Sequence, residues 1–260
     1  MKKQKQKGRL FFKTMFPVVK FFHKRQKVSY AVTPDEGEPA VFVANHAQAF
    51  GPMSMVLNFD RQLRPWIAGD IMDREKAKDF IFLQFFAGNL KKHKKWTMLK
   101  SKFVAKILVP IFENVKGIPV QYGSGMIGTF RETTKALSEG DNIVIFGEKP
   151  VRFSPYIAEI SDGIFQVAVF YYKQTGKRLK FYPVYIGPHD ISVGVPTEFD
   201  PEKDMKVQRQ QMAEYIKLNI HELASALPEH KPIPTYTDEY LAAVEKEKED
   251  AAEKKSLSDN

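Results

Sequence analysis

Cysteine is absent from this 260-residue chain, which excludes disulfides, thiolate nucleophiles and Cys-ligated zinc. That absence is compatible with a reducing compartment. Long apolar runs are missing too. The stretch from Phe11 to Phe22 is interrupted by Lys13 and Lys20, leaving it too short and too charged to span a bilayer. It also differs from a secretory signal, because no small-residue cleavage site follows it. His93, His189, His221 and His230 show no His-x3-His spacing, so no metal is assigned to them. There is no internal repeat and no low-complexity core. What remains, at 43% hydrophobic and 27% charged residues, is a chain able to bury a large core in one domain.

Charge is distributed unevenly. Residues 1–27 hold ten Lys/Arg and no acid, whereas residues 238–260 hold eight acids and four Lys. The excess of basic residues therefore points the N-terminal arm at an anionic surface. Phe11, Phe12, Met15, Phe16, Val19 and Phe22 recur at helical spacing within it, as in a helix lying in a membrane interface, although Pro17 should kink it. The same pattern fits an amphipathic helix docked on the protein's own core. A nucleic-acid arm does not need six large apolar residues, so no nucleic acid is expected as a partner. The last residues, EKEKEDAAEKKSLSDN, read as a charged helical or disordered tail. The expected organisation is an arm over 1–27, a domain over 28–235 and a tail over 236–260.

Within the body, Pro34 to Pro39 reads as a turn-rich linker and AVFVA as a short buried strand that stops at Asn45-His46. A helix is expected over 53–59, a strand over Arg64 to Ala68 and a helix over Arg74 to Phe86. In LKKHKKWTMLKSKFVAKILVPIF, Trp96, Leu99, Phe103 and Ile107 are spaced for one helical face among seven lysines between positions 91 and 106. This is either a second membrane or phosphate contact or a solvated lysine face over a core stripe. From Gly117 the order is strand, glycine loop, helix closed by Gly140, and the strand NIVIF. A helix over Asp162 to Tyr172, the strands LKFYPVYI and ISVGVPTEF, and a helix from Lys206 to Leu227 follow. Helices alternating with short apolar strands predict an α/β fold: one domain with a twisted mixed sheet covered by helices.

Two patterns carry chemistry. Gly123-x-Gly125-x-x-Gly128 follows a strand and opens a helix, and Glu148 lies further on, which is what a dinucleotide site asks for. The alternative is a plain glycine turn at a strand-to-helix corner. The second pattern is distributed: VFVANHAQAFGP, KGIPVQYGSG, IVIFGEKPVRFSPY and FYPVYI.

Those four segments resemble, in order and approximate spacing from Val41 to Ile186, the blocks of the glycerolipid acyltransferases that acylate lysophosphatidic acid. The resemblance implies a glycerol-phosphate acyltransferase-like fold. It also implies acyl transfer from an acyl thioester, with acyl-CoA or acyl carrier protein as co-substrate and no cofactor, to a lysophospholipid or related glycerolipid hydroxyl. By the same resemblance His46 is the catalytic base, since a neutral imidazole near pH 7 suits removal of a hydroxyl proton. Asn45 and Glu148 support it. From residue chemistry rather than from the resemblance, Gln48 is a further support, and Lys149 and Arg152 with the backbone N–H groups of Gly123 and Gly125 are expected to bind a substrate phosphate. The setting is cytoplasmic and peripheral on a membrane with anionic lipid.

The chain departs from the family pattern in places. Gly51 stands where the family has Asp, Gln121-Tyr122 where it has Arg, Gly147 where it has Pro, and Lys149-Pro150 where it has Gly-Thr. The family Asp orients the ring and stabilises the imidazolium. In its absence Gln48 or Glu148 is the available partner. Two further readings follow: a catalytically weak or inactive lipid-binding or partner-binding protein on the same fold, and a dinucleotide-dependent oxidoreductase.

Overall fold

The computed structural model describes residues 14, 16–21, 23–73, 75–86, 94–121, 123–152, 155–236, 241–242 and 245. Most of the basic arm's leader, residues 1–13, and most of the charged tail, 246–260, lie outside the described residues. Residues 16–21, within the arm, are helical.

The elements in order are β1 (Lys27–Tyr30), β2 (Val41–Ala44), α1 (Phe50–Asn58), β3 (Leu63–Ala68), the single turn α2 (Gly69–Met72), α3 (Ala77–Phe86), α4 (Lys94–Asn114) and β4 (Ile118–Val120). A 3-10 turn at Gly123–Gly125 leads into α5 (Met126–Ser138), followed by β5 (Asn142–Ile145). A second 3-10 turn, Asp162–Phe165, opens α6 (Gln166–Thr175). Then come β6 (Lys180–Ile186), β7 (Asp190–Val193), β8 (Thr197–Glu198) and α7 (Met205–Ser225).

The strands form one mixed sheet in the order β1-β7-β6-β2-β5-β3-β4, with β8 on β6. β6, β2, β5, β3 and β4 run parallel, while β7 and β8 are antiparallel to β6. Alternation within the strands divides the core. Val41, Val43, Ile143, Ile145, Phe181 and Tyr185 face the layer built by α5, α6 and α7. Their neighbours Phe42, Ala44, Val144, Tyr182 and Val184 face the other side, where Met55 of α1 packs. The central strands are buried on both faces, as parallel strands under helices must be. A third, smaller cluster of Ala77, Ile81, Ala105 and Val109 joins α3 to α4. The result is an α/β domain with a twisted mixed sheet covered by helices, as the alternation of elements predicts.

Three details differ from the sequence reading. Lys27–Tyr30, which straddles the expected boundary between arm and domain and lies in no expected element, is an edge strand paired in parallel with β7. ISVGVPTEF is two strands rather than one. Its two parts pair with opposite ends of β6, Val193 with Val184 and Thr197 with Phe181. At the bend between them a Cβ on Gly194 would lie 2.9 Å from Pro183 Cγ. Finally, the α1 helix begins at Phe50, three residues before the expected start.

Because β2, β5, β3 and β4 are parallel, their C-terminal ends share one edge of the sheet. That edge receives Asn45-His46 from β2, Gly147-Glu148 from β5, Gly69 from β3 and Gln121 with the Gly123–Gly125 turn from β4.

Candidate active site

The site is built first from backbone clamps. Asn45 is buried at the end of β2, and its amide serves both sides of the neighbouring strand. Oδ1 accepts from Ile186 N at 2.7 Å and Nδ2 donates to Ile186 O at 3.3 Å. Asn45 thus replaces the sheet ladder where β2 and β6 part, and both polar atoms of its amide are engaged there. The chain then turns sharply. Ala47 and Gln48 have φ of 45° and 55°, the left-handed region that costs non-glycine residues about 1–2 kcal/mol each. Such strain is held only where surrounding contacts over-determine it.

One such contact is Glu148. Its Oε1 accepts the backbone N–H of His46 at 2.6 Å and the Thr235 hydroxyl at 2.7 Å, and its Oε2 accepts Ala158 N–H at 2.9 Å. Tyr236 OH donates to the Glu148 carbonyl at 3.3 Å. Burial pushes the Glu148 carboxyl up, against the downward pull of these three donors. Glu148 therefore meets His46 through the main chain and is not the ring's partner.

The other contact is Gly51, the second residue of α1. A Cβ there would lie 2.2 Å from the His46 carbonyl oxygen and 3.0 Å from that of Asn45. The helix is seated directly on the His46 peptide, with no room for any side chain at the position where the family pattern has Asp. Its φ is not positive, so the constraint is close approach rather than backbone conformation.

The His46 ring rests on Phe146 in an edge contact with 5.1 Å between centroids. Part of the ring surface stays open. Nδ1, however, is sealed and has no hydrogen-bond partner among the described residues. Burial, only partly offset by backbone groups of Gln48 and of His46 itself, pushes the imidazole down to about 4. At neutral pH the ring is uncharged, the state that accepts a proton. The Gln48 side chain makes no hydrogen bond among the described residues.

The remaining candidates lie further out. Lys149 pairs with Glu159 at 3.7 Å with both side chains partly exposed, and Arg152 is exposed. Gly123, at φ +71°, makes the turn into α5, but β4 lies three strands from β2, about 14 Å at the usual spacing. The glycine loop and His46 share an edge of the sheet, three strands apart. The loop also lacks the geometry of a dinucleotide fingerprint. A Cβ on Gly125 would strike the Gln121 side chain at 2.5 Å, whereas one on Gly128 would meet nothing within 4 Å. The third glycine of such a motif exists for close helix packing, and here no packing requires it. Glu148 is meanwhile committed to backbone donors. Among the described residues no group of three or more His, Asp or Glu is placed to hold a metal ion.

Thr235, Tyr236 and the Ala158 amide were not legible as site residues. They reach Glu148 from 87, 88 and 10 positions away, and none belongs to a local motif.

A scan against protein-family models finds no match, and a search of the curated proteins finds none. Among solved structures, the chain is similar to the crystal structure of the 1-acyl-sn-glycerophosphate (LPA) acyltransferase PlsC from Thermotoga maritima. The identity is 12% and the TM-score 0.48, over 88% of this chain and 81% of that chain. At this level the likeness is one of outline, and the chemistry of the site rests on its own residues.

Proposed function

We propose that the protein transfers an acyl group from a thioester, acyl-CoA or acyl carrier protein, to the hydroxyl of a lysophospholipid or related glycerolipid at a membrane surface. The observation that carries this reading is His46: an imidazole held neutral by burial, presented at the C-terminal edge of a parallel sheet by a strained turn that Asn45, Glu148 and Gly51 fix in place. Ligands gather at such edges in open α/β sheets. In the proposed step Nε2, the nitrogen not sealed, takes the proton of the acceptor hydroxyl as its oxygen bonds to the thioester carbonyl carbon. Collapse of the tetrahedral intermediate breaks the carbon–sulfur bond, and the thiolate leaves with the proton carried by the imidazolium. Lys149 and Arg152, following Glu148 on the same loop, offer positive charge to a phosphate on either substrate.

A specific observation favours a second reading, a weakly active or inactive lipid-binding protein on this fold. Among the described residues no carboxylate faces His46 Nδ1, and the Gly51 contact leaves no space for one at that position, so the imidazolium formed in the step has no ionic partner there. Loss of the orienting acid from a His-carboxylate pair costs roughly 10⁴ in rate.

The test is transfer from radiolabelled acyl-CoA and acyl carrier protein to a panel of lysolipids, with His46→Ala as control. Transfer that His46→Ala abolishes supports the enzyme. Lipid binding by both proteins without transfer by either supports the second reading.

A further inference from the structure

The helix α4 carries an apolar stripe that the described residues leave largely uncovered. Trp96, Leu99 and Phe103 are 66%, 57% and 65% exposed, which is unusual for three large apolar side chains that are neighbours on one helix face. At 100° per residue they fall within one arc of the helix. Lys100 lies on one flank of that arc and Lys102 and Lys106 on the other, and all three are exposed. The opposite face, with Ala105 and Val109, is buried against Ala77 and Ile81 of α3. The stripe is thus surplus to the helix pair's own packing. A groove of about 840 Å³ extends from it toward α3, lined by Trp96, Leu99, Phe103, Ala105 and Val109 with Lys78 of α3 at its wall. No ion pair among the described residues engages Lys100, Lys102 or Lys106, and Glu113 is the only acid in the helix.

The geometry points to α4 as a bilayer-docking face: Trp96, Leu99 and Phe103 enter the interface of an anionic membrane while Lys100, Lys102 and Lys106 meet its headgroups. Charge complementarity selects this occupant. An apolar stripe bracketed by unpaired lysines is the pattern of an interfacial helix, whereas a face packing on a second copy would bring those lysines against themselves. α4 is not a span, for among the described residues no helix is long and apolar enough to cross a membrane.

Topology gives the contact a consequence. β3 and β4 are parallel neighbours, so their crossover must carry the chain back along the sheet, and α4 makes that return. Its 21 residues span about 30 Å, far more than β4 itself. The first turns of α4 therefore extend past the C-terminal ends of β3 and β4, the edge of the sheet from which His46 also emerges, three strands from β4, and docking through them turns that edge toward the lipid. The inference rests on α4 alone, so its failure would leave the transfer chemistry standing, and the reverse also holds.

Tryptophan fluorescence tests it directly. The chain has two Trp; Trp66 is 8% exposed in the core and donates to Thr133 Oγ1, so lipid-dependent changes belong to Trp96. Adding phosphatidylglycerol-phosphatidylcholine vesicles to the full chain should shift emission to the blue, and acyl-brominated lipid should quench it. Both effects should vanish in Trp96→Phe. Phe103→Asp should weaken vesicle sedimentation roughly tenfold or more, and Lys100→Gln with Lys102→Gln and Lys106→Gln should remove the preference for anionic over neutral vesicles. Sedimentation with vesicles but no Trp96 quenching would overturn the proposal by placing the contact elsewhere. So would a vesicle-independent blue shift that tracks protein concentration and is lost in Phe103→Asp, which would assign the face to a second copy. Failure to bind vesicles at all would overturn it too.

Discussion

Substituting Gly51 by Ala tests the seating of α1 on the His46 peptide. The added Cβ would sit 2.2 Å from the His46 carbonyl oxygen, 2.9 Å from its carbonyl carbon and 3.0 Å from the Asn45 oxygen. Carbon in van der Waals contact needs well over 3 Å, so either the peptide or the helix must give by about 1 Å. None of the three atoms belongs to a flexible side chain, and the preceding peptide is held through the His46 N–H by Glu148 at 2.6 Å. Overpacking against a fixed neighbour costs typically about 1–3 kcal/mol, and the absence of any yielding atom puts this site at about 3 kcal/mol. In a domain of this size that lowers the melting temperature by roughly 6–12 °C. Gly51→Asp should cost at least as much, so restoring the acid of the family pattern should damage the site rather than improve it. Urea denaturation of wild type and Gly51→Ala, fitted with a common slope, measures the difference. A loss below about 1 kcal/mol would show that α1 does not rest on the His46 carbonyl, and the explanation for the missing acid would fail with it.

Other expectations follow from the same contacts. Glu148→Gln leaves one acceptor oxygen where two are used, so either His46 N–H or Ala158 N–H must face an NH₂ group; the loss should be about 2 kcal/mol in chemical denaturation, with the His46 amide resonance displaced. His46, whose folded pKa is pushed below its unfolded value, contributes stability that is full above pH about 6.5 and is lost as pH falls toward about 4. The unfolded chain takes up the proton first, and the difference amounts to about 3 kcal/mol. Wild type should accordingly lose more stability than His46→Phe between pH 7 and pH 4. Equal acid sensitivity of the two proteins would mean that the ring is not desolvated. Glu148, shifted upward, acts in the opposite sense, contributing stability at acid pH that falls away as pH rises through its raised pKa.

Legibility from sequence followed locality. The run AVFVA marks a buried strand because every residue of Val41–Ala44 is apolar and both faces are covered. The Asn45-His46 boundary was visible for the same reason. By contrast, Lys27–Tyr30 is a half-exposed edge strand whose partner, β7, lies some 160 residues on, and no local signal announces it. The glycine-rich turn is legible as an element, while spacing alone leaves both a fingerprint and a plain turn open, because it cannot report that the Gln121 side chain fills the space beside Gly125. The clearest gap concerns Asn45 and Glu148. Their chemistry suggested participation in a reaction, while their bonds are to main-chain groups on β6, at His46 and at Ala158. Those assignments depend on strand order, which sets β2 between β6 and β5, and strand order is not written in any one segment.

The pH dependence of kcat/KM for acyl transfer tests the central claim most directly, since that parameter reports the titration of groups in the free protein. With His46 as the base and its pKa pushed down to about 4, the rate should rise through pH about 4 and be level from about pH 5.5 to 8, and His46→Ala should remove it. An ascending limb near pH 6.5, the value of an unperturbed imidazole, or activity that survives His46→Ala, would contradict the account.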